Sequence, residues 1–406
     1  MREAALVSAT LNHTCINVRF NGLEFEILDV DEKAWQVTNR RSLYTVGIKW
    51  YRSIKHLLPE IVHKGILKLI TYFERLSHRH LKRSEFTLNW ILARHKEQQK
   101  DKNEKVSSIL LLLDSTWDMR VWRQVELFKA KGGYVSAVLY DLIPFTHPET
   151  VEKHTGFAHT TWWLAAPLYL DSVMCISQTV RRQFLAWQKS NYLGRCVPEA
   201  NVNYFHLGSD LTVVKSAATT NLSTNPKYGS YFLVVGSIEP RKNHKTILDA
   251  FEILWRDEWP VNLVIVGSHG WMSEAFLDRV AKHPLCGKRL FLLRRTSDEE
   301  LSNLYEDTLG LVIASIAEGF GLPIVEAFKY GTRVICSDID VFREVAGDFA
   351  VYFAVDDPDE LARAVREMYN TPRGQVIRTL PVTAALSSWR ESAGSLLKKL
   401  DQIHHT

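Results

Sequence analysis

From Val106 onward, apolar residues gather into short unbroken runs, separated by polar-containing segments of helical period. The runs are V-S-S-I-L-L-L-L-D ending at Asp114, Y-V-S-A-V-L-Y-D ending at Asp141, Val173 to Ser177, Y-F-L-V-V-G ending at Gly236, V-N-L-V-I-V-G, R-L-F-L-L, Leu311 to Ile313, and Thr332 to Cys336. Each is too short for a helix and too uniformly apolar for a strand with one wet face. They predict strands buried on both faces, as in parallel sheets. Between them the pattern predicts helices: Thr116 to about Lys131, closed by Gly132-Gly133; residues 155 to 193 apart from the strand at Val173; a helix capped by Thr296-Ser297-Asp298; residues 356 to 370; and Ser387 to Ile403. Strand and helix in alternation give an α/β chain.

The first part of the chain reads differently. I-N-V-R-F and E-F-E-I-L-D-V alternate around Asn21-Gly22 and predict a hairpin. Residues 47 to 100 read as helical, with Ile61, Ile66, Leu67, Leu69, Ile70 and Phe73 set among Lys64, Lys68, Arg75, Arg79, Lys82 and Arg83.

A chain of 406 residues exceeds one ordinary core, so two domains are expected. The small polar stretch L-T-V-V-K-S-A-A-T-T-N-L-S-T-N-P-K-Y-G-S has the composition of a linker and sets a boundary near Lys227. The expected parts are residues 1–105, 106–226, 227–386 and a terminal helix in 387–406.

The chemistry concentrates in Ser315 to Tyr330, S-I-A-E-G-F-G-L-P-I-V-E-A-F-K-Y. A buried strand runs into a loop whose Gly319 and Gly321 can bring backbone close to a ligand. Pro323 suits the start of the next helix and Gly331 the position past its end. The positive end of that helix faces the loop, which favours a phosphate. Glu318 at the lip and Glu326 one turn into the helix bracket this anion site. The arrangement suits a diphosphate carrying a hydroxylated ring at each end. Two glutamates alone would more often be solvated helix-end charges; the glycine loop between them reverses that reading.

The string E-G-F-G-L-P-I-V-E resembles the E-x7-E motif of the retaining glycosyltransferases of family 4, whose fold is GT-B. That resemblance implies two Rossmann-like domains facing a cleft, with the C-terminal helix crossing back to the first. It implies a metal-independent transfer of sugar from a nucleotide diphosphate, with no cofactor. By the same resemblance Glu318 lies against the donor sugar, Gly319, Phe320, Gly321 and Leu322 offer amides to the phosphate and sugar, and Glu326 holds the ribose. The turn G-S-I-E-P-R-K-N after the strand at Gly236 matches the family's diphosphate-gripping turn. Lys242 stands at the gripping position, and Arg241 substitutes for an arginine that relatives carry where this chain has Ser237. Arg294 and Arg295 fall where the family contacts the base.

On the acceptor side, L-L-D-S-T-W-D, D-L-I-P-F-T-H-P-E and C-I-S-Q resemble family 4 enzymes that build bacterial polysaccharides, including mannosyl- and rhamnosyltransferases. Relatives place His before the aspartate where this chain has Tyr140, so the acceptor-side catalytic role is open between Asp141 and His147. A loop imidazole fixed between prolines is the plain alternative for His147. The family's N-terminal glycine loop is not evident; Gly47 is its one candidate. The D-x-D strings Asp29-Val30-Asp31 and Asp338-Ile339-Asp340 are cheap matches, and no metal site is assigned.

Charge adds one feature. Residues 40–100 hold 14 Lys and Arg against 4 Asp and Glu, although the whole chain carries only +4. Such a block suits an anionic membrane surface or a solvated face. Nucleic acid is not expected, because no binding module accompanies the charge. The five cysteines, Cys15, Cys175, Cys196, Cys286 and Cys336, form no C-x-x-C and read as reduced thiols, Cys175 and Cys336 as core residues. No run is long enough to span a bilayer and the N-terminus lacks a secretory pattern, which gives a cytoplasmic expectation, with peripheral attachment to the inner membrane through the basic block. The favoured reading is a sugar transfer to a glycan or lipid-linked glycan; the alternative is an inactive nucleotide-sugar-binding or membrane-surface scaffold.

Overall fold

The computed structural model describes residues 18–20, 25–27, 108–113, 117–191, 196–209, 227–372 and 387–404. Asp29, Asp31, Gly47, Asp114, the basic block and the linker after Asp210 lie outside the described residues.

The chain divides into two compact units, residues 1–110 with 118–135 and residues 111–117 with 136–406. In the smaller unit, strands β1 (Val18–Phe20) and β2 (Phe25–Ile27) pair antiparallel with Phe20 opposite Phe25, the expected hairpin. Its helix Val121–Lys129 starts later than Thr116, and Val121, Trp122, Val125 and Phe128 are its buried side. Gly132 follows with φ +81°, as a helix end closed by glycine requires.

The larger unit holds two sheets. One has the order β3-β4-β5-β6, from Ile109–Leu112, Tyr134–Leu139, Ser172–Cys175 and Val202–Tyr204. The unit contributes the C-terminal halves of β3 and β4 to it, and β4, β5 and β6 run parallel. The other sheet has the order β12-β11-β10-β7-β8-β9 and is parallel throughout. Its strands are β7 (Tyr231–Val235), β8 (Asn262–Val266), β9 (Leu290–Leu293), β10 (Leu311–Ile313), β11 (Val334–Ser337) and β12 (Ala350–Phe353). The apolar runs read from sequence are these strands. In the second sheet the inner strands β7, β8, β10 and β11 are almost wholly buried because helices cover them, and Phe232, Ile247, Phe251, Leu263, Ile335, Leu361 and Val365 share one core; the edge strands β9 and β12 are only partly buried. Cys175 and Cys336 sit inside these layers, fully buried.

Helix boundaries shift by a few residues from expectation. The segment 155–193 resolves into Lys153–Tyr169 and Gln178–Asn191 around β5, and the helix expected from 356 begins at Pro358 behind an Asp357 cap. The last helix, Trp389–His404, seats on the first sheet. Ser392 Oγ donates to the His206 carbonyl at 2.6 Å, Lys399 Nζ donates to the Tyr204 carbonyl at 2.6 Å, and Leu396 and Leu400 are buried. Gly208 permits this seating, since a Cβ there would collide with the backbone of Ser388.

Candidate active site

In the sheet order β10 lies beside β7, so the loops leaving their C-terminal ends are neighbours. In open parallel sheets this edge is where ligands gather. After β7, Gly236 takes φ +149° and the chain makes a short turn, Pro240–Lys242, before the helix His244–Arg256. After β10, residues 314–321 form the glycine loop, and Gly321 with φ +102° leads into the helix Leu322–Lys329. The amide of Ile316 donates to the Arg241 carbonyl at 2.9 Å and ties the two loops together.

Glu318 is the centre of this junction. Its Oε1 accepts from Lys242 Nζ at 2.5 Å and from Ser315 Oγ at 2.9 Å, and its Oε2 lies 2.7 Å from Arg241 NH1. Arg241 also reaches the Ala317 carbonyl at 2.9 Å and Glu239 Oε1 at 2.5 Å. Burial disfavours the charged carboxylate of Glu318, but the charges of Lys242 and Arg241 outweigh it and hold its pKa at about 2. The sequence reading aimed both cations at a diphosphate and Glu318 at a sugar; here both cations grip Glu318.

Glu326 lies a turn into the helix, half-buried, and accepts from the Tyr305 hydroxyl at 2.8 Å. Tyr305 stacks on Tyr330 with centroids 5.5 Å apart, and Tyr330 shares a 2.7 Å hydrogen bond with Ser302. Burial pushes the Glu326 carboxyl up, while the Tyr305 bond pulls it partly back. Phe320 is buried and its ring lies 5.5 Å from His206. Gly319 does not open toward a ligand on its Cα face: a Cβ there would collide with the carbonyl oxygen of Tyr140, and its own carbonyl accepts from Ser177 Oγ at 2.8 Å. Leu322 is the first residue of its helix and Pro323 the second.

Arg294 and Arg295 are exposed beyond the end of β9, with β7 and β8 between them and β10. No described contact joins them to Glu318. Asp338 is held by Arg343 at 2.7 and 2.8 Å, and Asp340 is an exposed helix-start residue.

Asp141, past the end of β4, accepts from the Ile143 amide at 3.0 Å. Burial raises its pKa, with Glu318 and Glu239 adding to the rise and Ile143 and Arg241 opposing it, so its carboxyl belongs to the electrostatic field of the Glu318 cluster. His147 stands one helical turn further on and bonds Thr146 Oγ1 at 2.9 Å. The structure therefore brings Asp141 to the junction, and shows no such contact for His147.

Two features escaped the sequence. The first is Glu344, on the helix Asp340–Ala346, which accepts from the amides of Gln178 and Thr179 at 2.7 Å each, from Thr179 Oγ1 at 2.6 Å and from His206 Nε2 at 2.8 Å. It caps a helix of the first sheet with a side chain from beside the second. Burial would raise its pKa, yet these four hydrogen bonds hold it below the ordinary carboxylate range. The second is a cavity of about 280 Å³ lined in part by Asp141, Arg241, His159, Trp117, Trp162 and Trp271. The doublet Trp162-Trp163 was a visible signal, but nothing in the sequence said that Trp271 would face it.

Residues 221–377 match the family described as Glycosyl transferases group 1. A serotype-specific mannosyltransferase WbdA of Escherichia coli is 34% identical over 294 residues, covering 69% of this chain and 35% of that protein. The match thus spans about a third of that relative's length. The O-antigen chain mannosyltransferase RfbU of Salmonella typhimurium is 36% identical over 143 residues, covering 35% of this chain and 39% of that protein. Among solved structures, a UDP-forming α,α-trehalose-phosphate synthase from Burkholderia xenovorans superposes with a TM-score of 0.57 at 12% identity, over 80% of each chain, which speaks to the fold alone. Residues 221–377 thus resemble group 1 glycosyl transferases, in a chain that is similar over part of its length to bacterial mannosyltransferases and that has the two-sheet α/β fold, GT-B, of its structural neighbours.

Proposed function

We propose that this chain is a retaining hexosyltransferase that moves a sugar, mannose by the analogy of its relatives, from a nucleotide-diphosphate donor to a hydroxyl of a glycan or lipid-linked glycan in bacterial surface polysaccharide synthesis. The observation that carries the proposal is the cluster of Glu318, Lys242 and Arg241 at the adjoining ends of β7 and β10. A departing diphosphate needs cations aimed at it in a water-poor site, and Lys242 and Arg241 are such cations. In the transfer they turn from Glu318 to the diphosphate, and the released carboxylate steadies the oxocarbenium-like sugar. Glu326, held by Tyr305, takes the ribose hydroxyls, and Arg295 lies on the base side. The leaving phosphate oxygen accepts the acceptor's proton, so no metal step is invoked. Residues 227–386 form the donor-binding half and residues 106–226 the core of the acceptor half. The basic block of residues 40–100 serves attachment to an anionic membrane surface, on which a lipid-linked acceptor is presented.

The full engagement of both cations by Glu318 gives specific support to a second reading, a scaffold that binds nucleotide-sugar without transferring it. One experiment separates the two: thermal stabilisation and slow donor hydrolysis with GDP-, UDP-, dTDP- and ADP-sugars, chelator present, in wild type and Glu318→Ala. Stabilisation by one nucleotide series with hydrolysis by wild type only supports the transferase. Binding without hydrolysis or transfer favours the scaffold, and no binding by any donor sinks both.

A further inference from the structure

Ser177, in the C-I-S-Q segment past the end of β5, is fully buried and bonds the glycine loop directly. Its Oγ donates to the Gly319 carbonyl at 2.8 Å and accepts from the Val180 amide at 3.1 Å. A carbonyl can only accept and an amide can only donate, so these two partners leave the hydroxyl one orientation. Val180 lies in the first turn of the helix Gln178–Asn191, where the two preceding amides are held by Glu344 at 2.7 Å each. Ser177 is therefore a fixed donor aimed from the first sheet at the loop of the second.

The loop's own glycine explains why such a donor matters. Gly319 has no left-handed φ; it is glycine because the Tyr140 carbonyl oxygen fills the place of a Cβ. That close approach brings with it a freedom of backbone rotation that any larger residue would lack. Left to itself, the peptide between Gly319 and Phe320 could turn over at little cost. The bond from Ser177 pins its carbonyl, and because the peptide is planar and trans, the Phe320 N–H must point the opposite way. No acceptor among the described residues meets that N–H. The Phe320 ring is buried 5.5 Å from the His206 ring, which holds the far side of the same peptide. One residue upstream stands Glu318, bound to Lys242, Arg241 and Ser315.

We propose that Ser177 is a positioning residue for the transfer. Through the Gly319 carbonyl it holds the Phe320 N–H, beside Glu318, toward the diphosphate oxygen that takes up the electron pair as its bond to the sugar breaks. A donor fixed in advance at developing charge lowers the barrier more than it tightens ground-state binding. The inference rests on the transferase reading and adds the first-sheet residue that sets the donor loop. Steady-state hydrolysis of whichever GDP-, UDP-, dTDP- or ADP-sugar the wild type accepts, in Ser177→Ala, Ser177→Cys and Ser177→Thr, tests it. Calorimetric titration with the nucleoside monophosphate of the same base, which lacks the second phosphate, runs in parallel. Ser177→Ala is expected to lose at least tenfold in kcat, with donor KM within threefold and monophosphate affinity unchanged. Ser177→Cys, whose thiol is a weak donor, should behave alike and carries the comparison if the Ala variant does not fold. Ser177→Thr keeps the hydroxyl and should recover most of the rate. Unchanged kcat in the Ala and Cys variants overturns the proposal. So does an equal loss in all three, or a parallel loss of monophosphate affinity, since either marks packing rather than the hydroxyl. A wild type that hydrolyses none of the four donor series defeats the transferase reading and this assignment together, whereas an active wild type with unaffected variants defeats this assignment alone.

Discussion

Lys242 Nζ and Glu318 Oε1 lie 2.5 Å apart, joined across the ends of two neighbouring parallel strands. Their side chains are only 15% and 10% exposed, so each charge depends on the other for solvation. Removing one partner of such a pair leaves the other stranded. Lys242→Ala should lower the donor kcat/KM by about 10²–10³ and raise the Glu318 pKa; steady-state kinetics and a pH titration of thermal stability check both. Glu318→Ala, which strands two cations, should cost roughly 3–5 kcal/mol in a denaturant melt.

The same pair sets a pH dependence. Glu318 is lowered from 4.5 to about 2 in the fold, so its stabilising contribution is complete above about pH 4.5 and disappears as pH falls toward 2. The shift corresponds to roughly 3 kcal/mol. The stability gap between wild type and Glu318→Gln should therefore narrow between pH 4.5 and 2 and stay constant from pH 5 to 7. A gap that is flat across the acidic range would contradict the ion-pair account.

Tyr305→Phe removes the hydroxyl that orients Glu326 and leaves the stacked ring in place. The pKa of the Glu326 carboxyl should rise further, because the lost hydrogen bond stabilised its charged form. The expected result is a donor KM raised several-fold with kcat nearly unchanged, and an unaltered melting temperature. A matching loss of kcat would place Tyr305 elsewhere in the chemistry.

Gly319→Ala tests the contact between the glycine loop and the end of β4. The added methyl collides with the Tyr140 carbonyl oxygen, a backbone atom that cannot rotate away. The loop must move, and with it Glu318. Activity should fall by more than a hundredfold while the second sheet, read by far-ultraviolet circular dichroism, stays intact.

Glu344→Ala should release the first amides of the helix Gln178–Asn191. Hydrogen exchange at Gln178 and Thr179 is the direct readout, and both should lose protection. His206→Phe, which removes one of the four bonds, should produce a smaller effect.

The strands were legible because a strand covered on both faces must be apolar throughout, and such runs stand out at Tyr231 and Leu311 as at Val173. The glycine loop was legible for a similar reason: Gly321 with φ +102° and Gly331 with φ +66° occupy backbone states that the neighbouring sequence announces. What stayed hidden depends on distance along the chain. Glu344 and Thr179 are separated by 165 residues, and Trp271 meets Thr150 across 121. No local pattern encodes such pairs. The engagement of Lys242 and Arg241 by Glu318 was hidden for another reason: the sequence put these three residues in two loops, but only the folded chain shows which charges neutralise one another.

The helix Trp389–His404 gives the protein an order of assembly. β4, β5 and β6 are synthesised before any strand of the second sheet, yet Leu396, Leu400 and the Ser392 bond to the His206 carbonyl arrive only after the second sheet is complete. A domain that ordinarily folds as it emerges must here wait with part of its surface uncovered. The first sheet reaches its final packing last, and a ribosome-stalled chain ending at residue 372 should carry a formed second sheet beside an unfinished first one.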